Sequence, residues 1–94
     1  MDIDRVSVDE IVEARGGDYG HPYDNFSLVA AFWNYYAGAR GQGALYALTA
    51  EDVGMMMILL KVARGATGEI TVDTIDDIAG YAKCIQLIRE KESE

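Results

Sequence analysis

The sequence predicts an all-α fold, a small four-helix bundle with a C-terminal αα-hairpin, completed by oligomerisation. Three observations carry that expectation. Apolar residues recur at three- and four-residue spacing, and strand-like alternation is nearly absent. Glycines and the single proline stand where helices start and stop. Half of the 94 residues are apolar, although a chain of this length buries only about 60–65% of the surface it exposes when unfolded. Six Tyr, two Phe and one Trp add large surfaces that want partners. A homo-oligomer is therefore expected, most simply an isologous dimer whose apolar helix faces pair across a twofold axis. A monomer with one unusually apolar helix is the alternative. Residues 1–94 read as one domain, with an acidic tail at about residues 90–94.

The first predicted helix follows Ser7, which forms a capping box with Glu10, and runs to about Ala14. Val8, Ile11 and Val12 give its apolar spacing, and Gly16 and Gly17 stop it. A loop rich in turn formers then carries the only histidine, His21. The second helix is expected over residues 24–39, with Asp24 or Asn25 as N-cap. Its stripe is Phe26, Val29, Ala30, Trp33 and Tyr36 or Ala37. The glycine-rich connector after it is either mobile or held down by Leu45, Tyr46 and Leu48.

Thr49 caps the third helix, with Asp52 completing a capping box. Residues 53–60 are apolar on nearly every side, as in a buried bundle centre or an oligomer interface. Gly54 inside this helix costs roughly 1 kcal/mol relative to Ala, so close backbone packing is expected there. A short loop at residues 65–69 leads to the fourth helix, from about residue 72 to near 89, with the last residues frayed. Its inner stripe is read as Ile75, Ile78, Ala82, Ile85 and Ile88 or Leu87, and Gly80 suggests a tight crossing.

The net charge of −8, from 16 acidic and 8 basic residues, argues against sequence-independent nucleic-acid binding, which depends on neutralising phosphates. It argues equally against attraction to anionic membranes. No apolar run reaches the roughly 18 residues of a bilayer span. The first ten residues are acidic and lack the apolar core of a signal peptide. Cys84 has no second cysteine to pair with and sits among Ala82, Ile85 and Leu87, which suits a buried reduced thiol. A cytoplasmic protein is expected. Met55, Met56 and Met57 read as packing. The chain has no Ser-His-Asp arrangement, phosphate-binding Gly-x-x-x-x-Gly-Lys loop or Cys-x-x-Cys pair.

Chemistry concentrates in two stretches. Lys61 and Arg64 lie three apart at the end of the apolar helix, and Asp73 and Asp77 lie four apart at the start of the next. Each pair therefore shares a helix face. An antiparallel hairpin brings the two faces together, either as a phosphate site with or without a metal or as a structural ion-pair network. Bases at a helix C-terminus and acids at an N-terminus also favour the helix dipoles by roughly 0.3–1 kcal/mol. Arginine's planar fork suits phosphate oxygens, and Asp73 and Asp77 are the candidate Mg²⁺ ligands. Tyr81, one turn beyond Asp77, lines the same pocket or is a core residue. Arg15 and Tyr19 belong to a loop able to close over a phosphate or stack on a base. A lone imidazole is a poor metal site, so His21 either closes its loop by a hydrogen bond or contacts a ligand.

The ordered set Arg15, Tyr19-Gly20, Phe26, Trp33, the apolar run 53–60, Lys61, Arg64, Asp73, Asp77 and Ala79-Gly80-Tyr81 resembles a family of small phage-encoded proteins of unassigned function, over about residues 8–86. That family is in turn similar to nucleotide-modification-associated domains and to MazG-like all-α nucleoside triphosphate pyrophosphohydrolases. The latter hold Mg²⁺ with Glu-Glu-x-x-Glu on one helix and Glu-x-x-Asp on the next, hard oxygen ligands for a hard cation. Asp73-x-x-Asp76 stands for the second element, but the third helix continues from Glu51 and Asp52 into apolar residues and lacks the first. The resemblance thus implies a helical protein that binds a nucleotide or other phosphorylated small molecule, in a phage setting sequestering a nucleotide signal. The alternatives are a Mg²⁺-dependent pyrophosphohydrolase with Glu51, Asp73, Asp76 or Asp77 as metal ligands, and a non-enzymatic helical interaction or assembly protein.

Overall fold

A computed structural model describes residues 20–42 and 47–94. Among these residues the structure is helical, with three α-helices and no strand. The helix expected before Ala14, the glycines that stop it, and Leu45 and Tyr46 lie outside the described residues.

Helix α1 spans Pro22–Ala39. It starts two residues before the expected Asp24, because Pro22 occupies the first helical position, where its missing N–H is no loss. His21 is the N-cap: its Nδ1 accepts a hydrogen bond from the Tyr23 backbone N–H at 3.0 Å. Gly41, at φ 75°, ends the helix. The Gly41 N–H donates to the Gly38 carbonyl and the Gln42 N–H to the Ala37 carbonyl, a pairing that satisfies the last turn and favours a residue without a Cβ.

Helix α2 spans Ala50–Thr67. The Thr49–Asp52 capping box forms as expected, with both reciprocal bonds in place. The helix continues through Gly65, Ala66 and Thr67, which the sequence reading assigned to the loop; the connection is only residues 68–71. Gly65 is tolerated because a Cβ there would lie 2.8 Å from Ile70 Cγ1, so the bare backbone lets the connection fold back over the helix end. Helix α3 spans Val72–Glu92 and takes in most of the tail expected to fray. A second capping box, Thr71 with Thr74, starts it.

Helices α2 and α3 form an antiparallel hairpin, and α1 packs across both. Contacts step along the hairpin in register: Glu51 with Arg89, Gly54 with Ile85, Lys61 with Asp77, and Gly65 with Thr74. A Cβ on Gly54 would stand 2.6 Å from Ile85 Cγ1 and 3.5 Å from Phe26 Cε2, which bears out the expected close packing at this glycine. At Gly80, where a tight crossing was also expected, no described atom lies within 4 Å of the Cβ position.

The core consists of Phe26, Ala30, Ala50, Val53 and Ile88, flanked by Tyr23, Val29, Trp33, Met57, Tyr81 and Cys84. Val53 and Ile88 are the most completely buried side chains, each contributing about 1.5–3 kcal/mol through apolar burial. Phe26 joins all three helices, meeting the Gly54 backbone of α2 and the Tyr81 ring of α3 at a centroid distance of 6.3 Å. The α1 stripe is as expected from Phe26 to Trp33, and of its two expected ends Ala37 is half-buried while Tyr36 points outward. The α3 stripe is in part the expected one: Ile88 is buried, Ile85 packs on Gly54 and Ile78 is half-buried, whereas Ile75 and Ala82 are exposed. Tyr81 and Cys84 join the core beside them. Helix α2, read as a buried bundle centre or an oligomer interface, leaves Met55, Met56, Leu59, Leu60 and Val62 exposed in the single chain.

Candidate functional site

The best-defined charged feature lies where α2 meets α3 near their connection. Lys61 Nζ on α2 sits 3.0 Å from Asp77 Oδ2 on α3, and the two side chains keep 21% and 25% of their surface open to solvent. The antiparallel register sets this pairing, since both residues lie a few turns from the short connection. The pair is neither sealed in a dry seam nor fully solvated. The pair fastens α2 to α3 and orients the Lys61 ammonium toward α3.

The other two members of the predicted cluster stand apart. Arg64, one turn beyond Lys61, is exposed, and among the described residues it has no carboxylate within ion-pair distance. Asp73 is exposed in the first turn of α3, where it suits the positive end of the helix dipole. Tyr81 is half-buried and packs its ring on Phe26, so its body belongs to the core. Among the described residues no group of three or more His, Cys, Asp or Glu side chains is placed to hold a metal. Asp73 and Asp77 share a face of α3 as adjacent turns.

His21 makes the loop-closing hydrogen bond, as the cap of α1. Arg15 and Tyr19 lie outside the described residues. Two cross-element contacts went unforeseen. Arg89, near the end of α3, hydrogen-bonds and ion-pairs with Glu51 in the first turn of α2. The Glu51 hydrogen bond and charge raise the guanidinium above its ordinary pKa, with Glu92 adding a smaller push. Glu51 thus has a structural partner at the opposite end of the hairpin from Lys61. The side-chain amide of Asn34 donates to the Leu48 carbonyl at 3.0 Å and accepts from the Leu48 N–H at 2.9 Å. This clamp ties the backbone of Leu48, at the end of the connector, to α1. No local pattern signals it, because an Asn in a helix has the same spacing whether or not a distant backbone meets it. The Thr71–Thr74 box was legible as two hydroxyl residues three apart before an apolar turn.

Among the described residues no helix is long and apolar enough to cross a membrane. Residues 6–89 match the model of a family described as a domain of unknown function, DUF6378. The chain is 38% identical over 90 residues to the Gene 55 protein of Mycobacterium phage L5, an alignment covering 95% of this chain and 54% of that protein. It is 34% identical over 80 residues to the Gene 55 protein of Mycobacterium phage D29, covering 85% of this chain and 48% of that protein. The chain thus spans about half the length of these curated relatives. No solved structure matches it. With its helical hairpin, Lys61-x-x-Arg64 and Asp73-x-x-x-Asp77 inside the matched span, the chain belongs to the DUF6378 family.

Proposed function

We propose that this phage-type helical protein binds a phosphorylated small molecule, a nucleotide in the first instance, at the α2–α3 junction. One observation carries the reading. Asp77 positions Lys61 between the helices while both stay partly open, and Arg64 extends the same face of α2 into solvent. A phosphate approaching this face meets an ammonium already oriented and a guanidinium with its donors available. With a net charge of −8 over the chain, a local basic face selects a small anion rather than a polyanion. Tyr81 and Asp73 border the face, the first as a ring surface and the second as an acceptor for a sugar hydroxyl. In a phage, such binding would sequester a nucleotide or a nucleotide-derived signal.

Calorimetric titration of the full chain with mono-, di-, tri- and cyclic nucleotides tests this reading. A saturable heat is expected with at least one class, and Arg64→Ala should weaken it about tenfold or more, the loss of one charge-assisted contact. Absence of heat across the panel removes the proposal. Pyrophosphate release with Mg²⁺ would replace simple binding by hydrolysis.

A further inference from the structure

Lys61, Arg64, Asp73 and Asp77 form two opposed rows at the connection end of the hairpin. Along α2, Arg64 stands about 4.5 Å nearer the connection than Lys61 and about 60° round the helix from it. Along α3, Asp73 stands about 6 Å nearer the connection than Asp77 and about 40° round from it. Both rows lie toward the core side of the hairpin. Arg64 is eleven residues from Val53 and Asp73 eleven from Cys84, about three whole turns in each case. The bases of one row balance the acids of the other, inside a chain whose net charge is −8.

We infer that the α2–α3 site takes a phosphate bearing a single negative charge, a phosphodiester, in preference to mono- and triphosphate termini, and that Asp77 sets this limit. The inference rests on the binding reading above and adds the ligand's charge to it. Lys61 already holds the Asp77 carboxylate at 3.0 Å. A phosphate taken up by the same ammonium therefore has its charge centre about 6 Å from that carboxylate. At this distance each further negative charge on the ligand meets a repulsion worth about threefold in affinity at the dielectric constant of water, and about a hundredfold at an effective value of 20. Asp73 opposes Arg64 in the same sense from the other row. The first ligand charge is matched by charge-assisted bonds from Lys61 and Arg64. A second finds bases already balanced by acids, while its loss of hydration still costs affinity. A diester also presents two free oxygens, the number that the fork of Arg64 grips. An ionised Asp73 is an acceptor only and finds its donor on a sugar hydroxyl, which a diester keeps.

Calorimetry of the full chain at about pH 8, fixed ionic strength and without Mg²⁺ tests it. The ligands are 3′,5′-cyclic ribonucleotides and the 5′-monophosphates and 5′-triphosphates of the same bases. A monoester carries about two charges there, because its second pKa is about 6. The cyclic diester should bind tightest, the monophosphate roughly three- to tenfold weaker, and the triphosphate weaker again. Asp77→Asn leaves an amide oxygen beside Lys61 and removes the charge, so the monophosphate should gain about threefold or more over the diester. Asp73→Asn should shift the ratio the same way by less. Asp73 lies outside the ion pair, so this variant decides the matter if circular dichroism shows Asp77→Asn unfolded. A wild-type chain that prefers the triphosphate, or a diester-to-monoester ratio unmoved in the folded variants, would overturn the charge limit and leave nucleotide binding standing. No heat with any of the nucleotides would remove the binding reading and this inference with it.

Discussion

The two sides of α1 carry similar residues and meet different surroundings. Inward, Phe26, Ala30 and Trp33 pack on α2 and α3, and Phe26 alone touches backbone or ring on both. Outward, Leu28, Phe32, Tyr35 and Tyr36 meet none of the core. The inner side holds the three helices together; the outer side stays largely exposed among the described residues. An apolar helix surface thus acquires its role from what lies within a few ångströms of it, and composition alone does not distinguish a core from an interface.

Substitutions on the two sides should separate these roles. The largest effect is expected at Phe26: Phe26→Ala removes a ring shared by three helices and should cost about 3–5 kcal/mol in urea unfolding. A loss below 1 kcal/mol would show that the inner side is not the junction described. Next comes Gly54→Ala, where Ile85 of α3 leaves no room for a methyl. Crowding against Ile85 Cγ1 should cost about 1–3 kcal/mol, only partly offset by the roughly 1 kcal/mol that Ala adds to helix propensity. Gly65→Ala meets Ile70 Cγ1 at 2.8 Å and Thr74 Cγ2 at 3.7 Å, so crowding offsets the helix-propensity gain and the net change in the same assay should stay within about 1 kcal/mol, smaller than at Gly54. Asn34→Ala should follow at about 1–2 kcal/mol, through two lost hydrogen bonds to a partly buried backbone. Amide exchange at Leu48 should rise with it.

The smallest effect belongs to the outer side. At dilute protein concentration, Phe32→Ala should change the unfolding free energy by less than about 0.5 kcal/mol. A larger loss would mean that Phe32 supports the fold after all, and would blur the contrast between the two sides.

Much of the helical framework was legible in local sequence. The Thr49–Asp52 box starts α2 where hydroxyl and carboxylate spacing indicated, and α1 ends at Ala39 as read. The Gly54 contact followed from the oddity of a glycine inside an apolar helix. The candidate site was legible only in part. Lys61 and Asp77 do meet, while Arg64 and Asp73 remain exposed on their own helices. Residue spacing assigns side chains to a helix face but not to the partner across a hairpin, which depends on register and on the helix's rotation. The same limit explains why α3 adds Tyr81 and Cys84 to Ile85 and Ile88 on its inner side and leaves Ile75 and Ala82 exposed.

Taken alone, the order of residues determined that this chain is helical, where most of its helices begin, and where a backbone had to approach closely. Caps and glycines act over four residues or fewer, so their consequences are written locally. The tertiary structure decided which apolar stripe became core, which ion pairs closed, and which aromatic face was left uncovered. Those outcomes depend on how three helices rotate to seat one phenylalanine ring, a constraint that arises only once the helices meet.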